Sequence, residues 1–172
     1  MSSDLFMKIH GIDGNITVAG HHKLLAISSY TAGARLPMTS IETNQKRTAG
    51  HVVIHTVSVT RPTDKCTPPL FTALCTAKPY PLVSLIKTRT VKDTQAIEYQ
   101  IDLTNAIFDS YATEVTTGND IFETWTISFT AFDMTYVHQQ QQGGESGNAA
   151  SGWDMQSQTA HTPAKVAAPV KS

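Results

Sequence analysis

The chain has 172 residues, of which 13 are basic and 14 acidic, and its formal net charge is −1. This length suits one domain with a real core and is too short for two ordinary domains, so we expect a domain over residues 1–157 and a disordered Ala/Pro/Lys-rich tail over residues 158–172. Because the charges nearly cancel and no Lys/Arg run exceeds two residues, nucleic acid and membrane surfaces are disfavoured as partners.

The beginning of the chain is not typical of a secretory signal, since Asp4, Lys8 and Asp13 interrupt any apolar run. No window approaches the roughly 20 apolar residues that a membrane helix requires. We therefore expect a protein that is soluble when made and does not insert into membranes. Any export would have to use a route other than the general secretory pathway.

Alternation of apolar and polar residues dominates the chain and predicts an all-β fold. The predicted strands, in chain order, are Leu5–His10, Leu24–Gly33, His51–Thr60, Leu82–Arg89, Glu98–Thr104, Ile107–Val115 and Ile121–His138. Seven strands suffice to close a small β-barrel, so we expect a closed barrel with one short helix.

The longest predicted strand changes phase near its end. Trp125, Ile127, Phe129 and Ala131 form one apolar row, with threonines and serine on the opposite face, and beyond Ala131 the apolar residues fall on even positions. A period of two changes phase only through a bulge, a bend or a change in what each face touches. The pattern therefore predicts either a barrel corner or a subunit seam at residues 131–133.

One helix is predicted over Thr67–Ala77, because Thr67 can cap the free backbone donors and proline is tolerated in the first turn. Its apolar stripe, suited to plugging a barrel end, consists of Leu70, Leu74 and Ala77. Cys66 and Cys75 would lie roughly 13 Å apart on this helix, too far for a disulfide. We expect two free thiols that act as small buried hydrophobic groups.

Three segments have no regular pattern. Leu36–Gly50 is a polar connection, and loops beyond about 12 residues are usually functional or disordered. Gln139–Ser151 and Thr159–Ser172 are too poor in large apolar residues to bury a core. Trp153 lies between these last two segments, and we expect it to anchor the C-terminal segment on the barrel.

Catalytic and ligand-binding patterns are missing, so we expect no enzyme activity, no metal and no cofactor. His51 and His55 share a strand face but lie about 13 Å apart, which does not suit a shared metal ion. The acidic residues are scattered over turns and strand edges, which leaves a glycosidase-like pair as a minor alternative. HExxH, GxSxG, Walker and GxGxxG motifs do not occur.

The threonine-rich strand faces have two interpretations. The simpler one is a solvated outer face of the barrel. The other is the polar, uncharged lining of a channel formed by an assembly. The pattern does not distinguish them.

Four blocks of sequence keep their order and spacing over almost the whole chain. They are Phe6–Gly14, His55–Leu70, Glu98–Leu103 with Ala106–Val115, and Glu123–Tyr136 with Gly152–Asp154. Together they resemble the haemolysin-coregulated protein (Hcp) family, the tube-forming subunits of type VI secretion systems. Thr67 stands where that family often has serine, and Ala77 where a glycine is common, and both departures are conservative.

The resemblance implies a structural protein that is not an enzyme. Six copies would close into a ring, and rings would stack into a tube that a contractile sheath propels from the bacterial cytoplasm out of the cell, without a cleaved signal peptide. The expected partners are other copies of the chain, the sheath, the spike-tip protein and small effectors that the tube carries or chaperones.

The resemblance also suggests which residues make contacts. The long connection would touch neighbouring subunits and rings through Leu36, Met38, Ile41, Lys46 and Arg47, and the channel would be lined by Ser28, Ser29 and Thr31. Two alternatives from other classes are a monomeric barrel that binds a small apolar ligand and a secreted hydrolase of unrecognised type.

Overall fold

The computed structural model describes residues 3–18, 21–39, 48–91, 94–115, 117–118, 121–139 and 145–163. It forms one helix, α1 (Thr67–Cys75), among many strands, which confirms the all-β class. The strands before the helix are β1 (Ser3–Ile9), β2 (Ile16–Val18), β3 (His21–Ala26), β4 (Ser29–Thr31), β5 (Ala34–Arg35), β6 (Met38–Thr39), β7 (Thr48–Ala49), β8 (Val53–Ile54) and β9 (Val57–Pro62). Those after it are β10 (Tyr80–Val91), β11 (Thr94–Glu114), β12 (Phe122–Ser128), β13 (Ala131–Gln139), β14 (Glu145–Asp154) and β15 (Thr159–His161).

Most strands join one sheet, but that sheet does not close. Its path runs β15–β14–β13–β11–β10–β1–β3–β2, and β12, β9 and β4 continue from the second half of β11. The expected closed barrel is therefore wrong, because among the described residues β2 and β15 remain edges of the path. Closure requires two distant edge strands to pair, and the alternation within single strands carries no information about that pairing.

The sheet has two halves: the path from β15 to β2 is one, and β4, β9, β12 and the second half of β11 are the other. Two segments connect these halves. Between β3 and β4, the N–H of Ile27 donates to the Leu5 carbonyl at 3.2 Å and that of Ser28 to the Thr60 carbonyl at 2.8 Å. β11 pairs with β10 and β13 over its first half and with β12 over its second, with a bulge near Phe108. The two strands predicted at residues 98–104 and 107–115 are thus one strand that bends from one half to the other.

The hydrophobic core lies between the two halves. Met7, Leu85 and Ile101 from one half meet Val59 and Trp125 from the other, and all are fully or almost fully buried. An edge-to-face pair joins the Phe108 and Trp125 rings at 5.7 Å between centroids. A second, smaller cluster on the opposite face of the sheet contains Phe6, Leu24, Ile86 and Ile97. The alternating pattern of the sequence is therefore satisfied by burial of one row from each strand.

The phase change of the longest predicted strand marks a corner. β12 ends at Ser128 and β13 begins at Ala131, and the two strands pair with different neighbours, β12 with β9 and β13 with β14. The Trp125 row is buried as expected, down to Ala131 at 8% exposure. Of the two interpretations, the structure contains the corner, because the chain leaves one half of the sheet and enters the other here.

The helix begins at the expected residue but is capped differently. Cys66 is the N-cap, no side chain caps the helix, and the Thr67 hydroxyl donates instead to Glu123 Oε1 at 3.0 Å. Leu70 is fully buried, whereas Ala77 lies beyond the helix and is exposed. Both thiols are free, and Cys75 is exposed, contrary to the expectation of two buried groups. Burial raises the pKa of the Cys66 thiol, and the nearby Asp64 carboxylate raises it further.

The C-terminal region contains more strand than expected. β14 covers much of the segment predicted to be irregular, and β15 pairs with β14 just beyond residue 158, while the domain boundary itself stays a prediction. Backbone pairing to β13 stabilises this Gly/Ala/Ser-rich stretch despite its low strand propensity. Trp153 is a strand residue opposite Phe132, and its role as an anchor stays a prediction. Residues 164–172 of the expected tail lie outside the described part of the chain.

Candidate functional site

A face rich in serine and threonine covers β4, β9, β12 and the second half of β11. The strand register places Ser29 beside Thr60 and Thr60 beside Thr124, while the next row joins Thr31, Ser58 and Thr126. Thr60 and Thr124 share a hydroxyl hydrogen bond at 3.2 Å. The side chains in these rows are uncharged and partly or fully exposed, so the face can contact water and hydrogen-bond to it without attracting ions.

The three residues expected to line a channel are not equivalent. Ser29 and Thr31 lie on this face, which we call the hydroxyl face. Ser28 lies one position before β4 and is exposed, but its place in the alternation is on the other side. The hydroxyl face is bounded by two acidic residues, Asp109, which accepts a hydrogen bond from Ser128, and Glu114.

The long connection forms an arm outside the main sheet. Two short ladders, β5–β8 and β6–β7, hold it together, with the N–H of Gly50 donating to the Pro37 carbonyl at 2.9 Å. Leu36 is 48% exposed and Met38 50% exposed, which is unusual for such large apolar side chains. The other predicted contact residues of this connection, Ile41, Lys46 and Arg47, lie outside the described part of the chain.

An apolar cleft of about 510 Å³ separates the arm from the sheet. The arm contributes Ala32, Gly33, Ala34, Leu36, Val52 and Ile54, and the sheet contributes Tyr99, Ile101, Phe132, Met134, Ser151, Gly152 and Trp153. Burial raises the pKa of Tyr99, and the indole N–H of Trp153 has no hydrogen-bond partner within the described residues. The cleft is therefore suited to apolar side chains or an apolar ligand.

Two of the residues that line the cleft are large, apolar and exposed, Leu36 of the arm and Met134 of the sheet, at 48% and 41%. Tyr136, two residues after Met134 in β13, is 45% exposed. Met38 and Val53 are also exposed but do not line the cleft. Exposed apolar side chains beside an apolar cleft are typical of a surface that contacts another molecule.

A second apolar surface lies at the far end of β11, where β11 and β12 form a hairpin. Val115 is 66% exposed, Ile121 41% and Phe122 42%. We call these three residues the hairpin end. The hairpin end was not predicted, although its three large apolar residues are close to a turn in the sequence.

A buried ionic network lies under the start of the helix and was also missed. Arg61 and Glu123 are paired in register on β9 and β12, and both side chains are fully buried. Arg61 Nη1 lies 3.2 Å from Glu123 Oε1, and Nη2 lies 2.5 Å from Asp64 Oδ2. The Arg61 nitrogens make no aligned hydrogen bond within the described residues, so charge rather than hydrogen-bond geometry dominates these contacts.

A signal for this network was present in the sequence. Arg61 is two residues after Val59, and Glu123 is two residues before Trp125, so each lies on the buried face of its strand. Opposite charges at equivalent positions of two buried rows predict a cross-strand ion pair.

A polar row crosses the other end of the sheet. Asp102, Asp133, Gly152 and His161 are neighbours in register on β11, β13, β14 and β15, and His161 Nε2 lies 2.6 Å from Asp133 Oδ1. Burial raises the pKa of Asp133, while the nearby imidazole opposes that shift. In the described ranges no group of three or more His, Cys, Asp or Glu residues could hold a metal ion.

Solved structures with a similar fold show which fold this chain has. A structure described as a type six secretion system protein superposes with a TM-score of 0.85 at 21% identity, covering 93% of this chain and all of that one. Hcp1 from Salmonella typhimurium superposes with a TM-score of 0.73 at 21% identity, covering 94% of this chain and 100% of that one. A structure described as a type VI secretion system effector from Yersinia pestis superposes with a TM-score of 0.67 at 20% identity, covering 88% of this chain and 99% of that one. The fold is that of the Hcp proteins.

Sequence comparison gives the family. The family described as "Type VI secretion system effector, Hcp" matches residues 6–136, which is well over half of the chain. The chain therefore belongs to the Hcp family of type VI secretion system proteins. A search of curated proteins gave no significant match. No helix in the described ranges is long and apolar enough to cross a membrane.

Proposed function

We propose that this protein is a structural subunit of the inner tube of a type VI secretion system, in which six copies close into a ring and rings stack. The observation that carries this proposal is the arm, whose Leu36 and Met38 are about half exposed and contribute little to the core. An apolar segment that projects from the fold is stabilised when another copy covers it.

Ring closure also requires two different surfaces on each copy. In a ring, every contact is heterologous, so one surface of a subunit meets another surface of its neighbour, and stacking adds a further pair. The mouth of the cleft and the hairpin end are two distinct apolar surfaces on one chain. A monomer with a single function would gain nothing from exposing both.

The hydroxyl face is the proposed lining of the channel, with Ser29 and Thr31 on it. An uncharged, hydroxyl-bearing lining remains wet, and it neither repels nor tightly holds cargo of either charge. Small effectors could then be carried without strong retention. The sheath and the spike-tip protein are the remaining proposed partners, and synthesis in the cytoplasm followed by secretion through this machine is the proposed route.

Deletion of residues 39–48 tests the proposal. The arm is expected to be dispensable for the core, so the variant should keep the far-ultraviolet circular dichroism of the full chain but form no stacked tubes in negative-stain electron microscopy. A chain shortened after Pro163 controls for the loss of residues as such. Filaments from the deletion variant, or a full-length protein that shows no annular particles at any concentration, would contradict the proposal.

The cleft supports a second candidate function, a monomeric protein that binds a small apolar ligand. Its volume of about 510 Å³ and its apolar lining lie in the range of ligand pockets. Light scattering separates the two functions, because this candidate requires a monomer at working concentration. Saturable binding of an apolar fluorescent probe that assembly does not abolish would favour it.

A further inference from the structure

The apolar cleft contains a buried donor that lacks an acceptor among the described residues. Trp153 of β14 lines the cleft, and its indole N–H is buried without a hydrogen-bond partner in the described ranges. Buried N–H groups in proteins nearly always have an acceptor, because leaving one unpaired is costly. Apart from the hydroxyls of Tyr99 and Ser151, the side chains of the lining are apolar or carry no acceptor. We therefore expect the acceptor to come from outside the described part of the chain.

Three segments longer than two residues lie outside the described ranges, and one of them matches the chemistry of the cleft. Residues 40–47 and 140–144 consist mainly of polar residues and glycine. In residues 164–172, by contrast, six of the nine residues are Ala, Val or Pro. Transfer of such side chains from water into an apolar cleft is favourable, whereas polar side chains would lose their hydration there.

The fold brings residues 164–172 to the edge of the cleft. β15 pairs with β14 so that His161 lies opposite Gly152, and both Gly152 and Ser151 line the cleft. Continuing this register places Thr162 beside Ser151, and neighbouring strands are about 4.8 Å apart. The segment therefore starts about one strand away from the lining. Because nine extended residues span up to about 30 Å, the segment is long enough to reach any part of the cleft.

Attachment and composition favour this segment over a free ligand. A short tether holds a binding segment near its site at an effective concentration in the millimolar range. Ala and Pro lose no side-chain rotamer freedom on docking. Pro169 also lacks a backbone N–H, which a cleft with few acceptors would leave unpaired, while the backbone carbonyls supply acceptors for an indole N–H. Aromatic-lined grooves that bind extended, proline-containing segments use the same features.

We propose that residues 166–170, with the sequence VAAPV, dock in the apolar cleft of their own chain, where a backbone carbonyl of this segment accepts the indole N–H of Trp153. The cleft is then an internal docking site, and any other occupant has to displace the segment. This inference does not rest on the proposed function, because it concerns a contact within one subunit.

The indole N–H signals in an NMR spectrum test the docking. The chain has two tryptophans, so isotope-labelled protein gives one signal for Trp153 and one for the fully buried Trp125. In a chain that ends at Pro163, the Trp153 signal should move and its hydrogen exchange should become at least about fivefold faster, as expected for the loss of one net hydrogen bond. The Trp125 signal should stay unchanged. Spectra are recorded at a concentration where light scattering shows monomers.

A charged substitution in the full-length chain complements the truncation. Val170→Asp would place a carboxylate in the apolar cleft, so it should change the Trp153 signal as the truncation does. Ser172→Asp is the matched control, because it adds the same charge outside the docked segment and should leave the signal unchanged. A synthetic peptide of residues 164–172, added to the shortened chain at millimolar concentration, should restore the full-length signal. The same peptide carrying Val170→Asp should not.

Four outcomes would overturn the inference. An unchanged Trp153 signal in the shortened chain and in Val170→Asp would leave the cleft to a small ligand. An effect that appears only as the protein concentration rises would mean that the segment binds a second copy. An equal change at Trp125 would mean that the segment acts on the whole fold, and an equal change in Ser172→Asp that its charge alone matters. None of these outcomes bears on ring formation, so the inference and the tube function can fail separately.

Discussion

The buried ion pair between Arg61 and Glu123 gives a large effect that can be worked out from the structure. In Arg61→Met, the Glu123 carboxylate stays fully buried, with the Thr67 hydroxyl at 3.0 Å and the Thr63 hydroxyl at 3.4 Å but no cation. An uncompensated buried charge costs about 3–5 kcal/mol of the free energy of unfolding, whereas the loss of one neutral hydrogen bond costs about 1 kcal/mol.

Replacing both partners should recover most of this loss. In Arg61→Met/Glu123→Leu the buried charges are both gone, and buried pairs replaced by apolar residues are often neutral or stabilising. Asp64 loses its cation in both variants, but its side chain is 26% exposed and it also accepts the Cys66 N–H at 2.7 Å. We therefore expect the double variant to be at least about 2 kcal/mol more stable than Arg61→Met alone.

Urea denaturation followed by tryptophan fluorescence measures this effect at a concentration where light scattering shows monomers. Trp125, two residues from Glu123 and fully buried, reports on the region. Lys87→Met is a matched control, because its ion pair with Glu98 at 3.1 Å is partly exposed and should be worth less than about 1 kcal/mol. A loss below about 1 kcal/mol for Arg61→Met, or a double variant as unstable as the sum of the single ones, would refute the reasoning.

Three further predictions concern the C-terminal strands. Gly152→Ala should lower the Tm and destabilise the fold by roughly 0.5–2 kcal/mol, since a Cβ there would clash with the ends of the Asp133 and His161 side chains and force both to shift; an unchanged Tm would contradict this. Truncation after Gln158 removes β15 and should lower the Tm, whereas a chain that ends at Pro163 keeps β15 and serves as the control. The N–H groups of residues 157 and 156 hold the pKa of Asp154 below its ordinary value, so its carboxylate stabilises the fold at neutral pH and this contribution disappears as the pH falls through the lowered pKa. Asp154→Ala should therefore unfold at a lower urea concentration than the wild type at pH 7, and this difference should shrink as the pH falls through the lowered pKa of Asp154.

Much of the fold was predictable because burial acts on single strands. The row that contains Trp125 is buried where alternation placed it, and the phase change predicted at residues 131–133 lies next to a real corner between β12 and β13. Alternation is a local signal, because the face on which a side chain lies depends only on its position within its own strand. That is why the all-β class, most strands and the helix start at Thr67 follow from the sequence.

The remaining features depend on pairing between distant segments. β14 is rich in Gly, Ala and Ser and forms because β13 and β15 pair with it, which composition cannot predict. Leu36 and Met38 are exposed, and their contact role stays a prediction, whereas the cleft exists only because the arm lies over β13 and β14. Barrel closure failed as a prediction for the same reason, since it concerns two edges that are far apart in the chain.

The length of the two terminal strands of the sheet limits how copies can polymerise. β2 and β15 contain three residues each, and Pro163, which lacks a backbone N–H, follows two residues after β15. Within the described ranges, such short edges offer few backbone hydrogen bonds for pairing with another copy. Any contact between copies would therefore rest on side-chain surfaces rather than on open backbone.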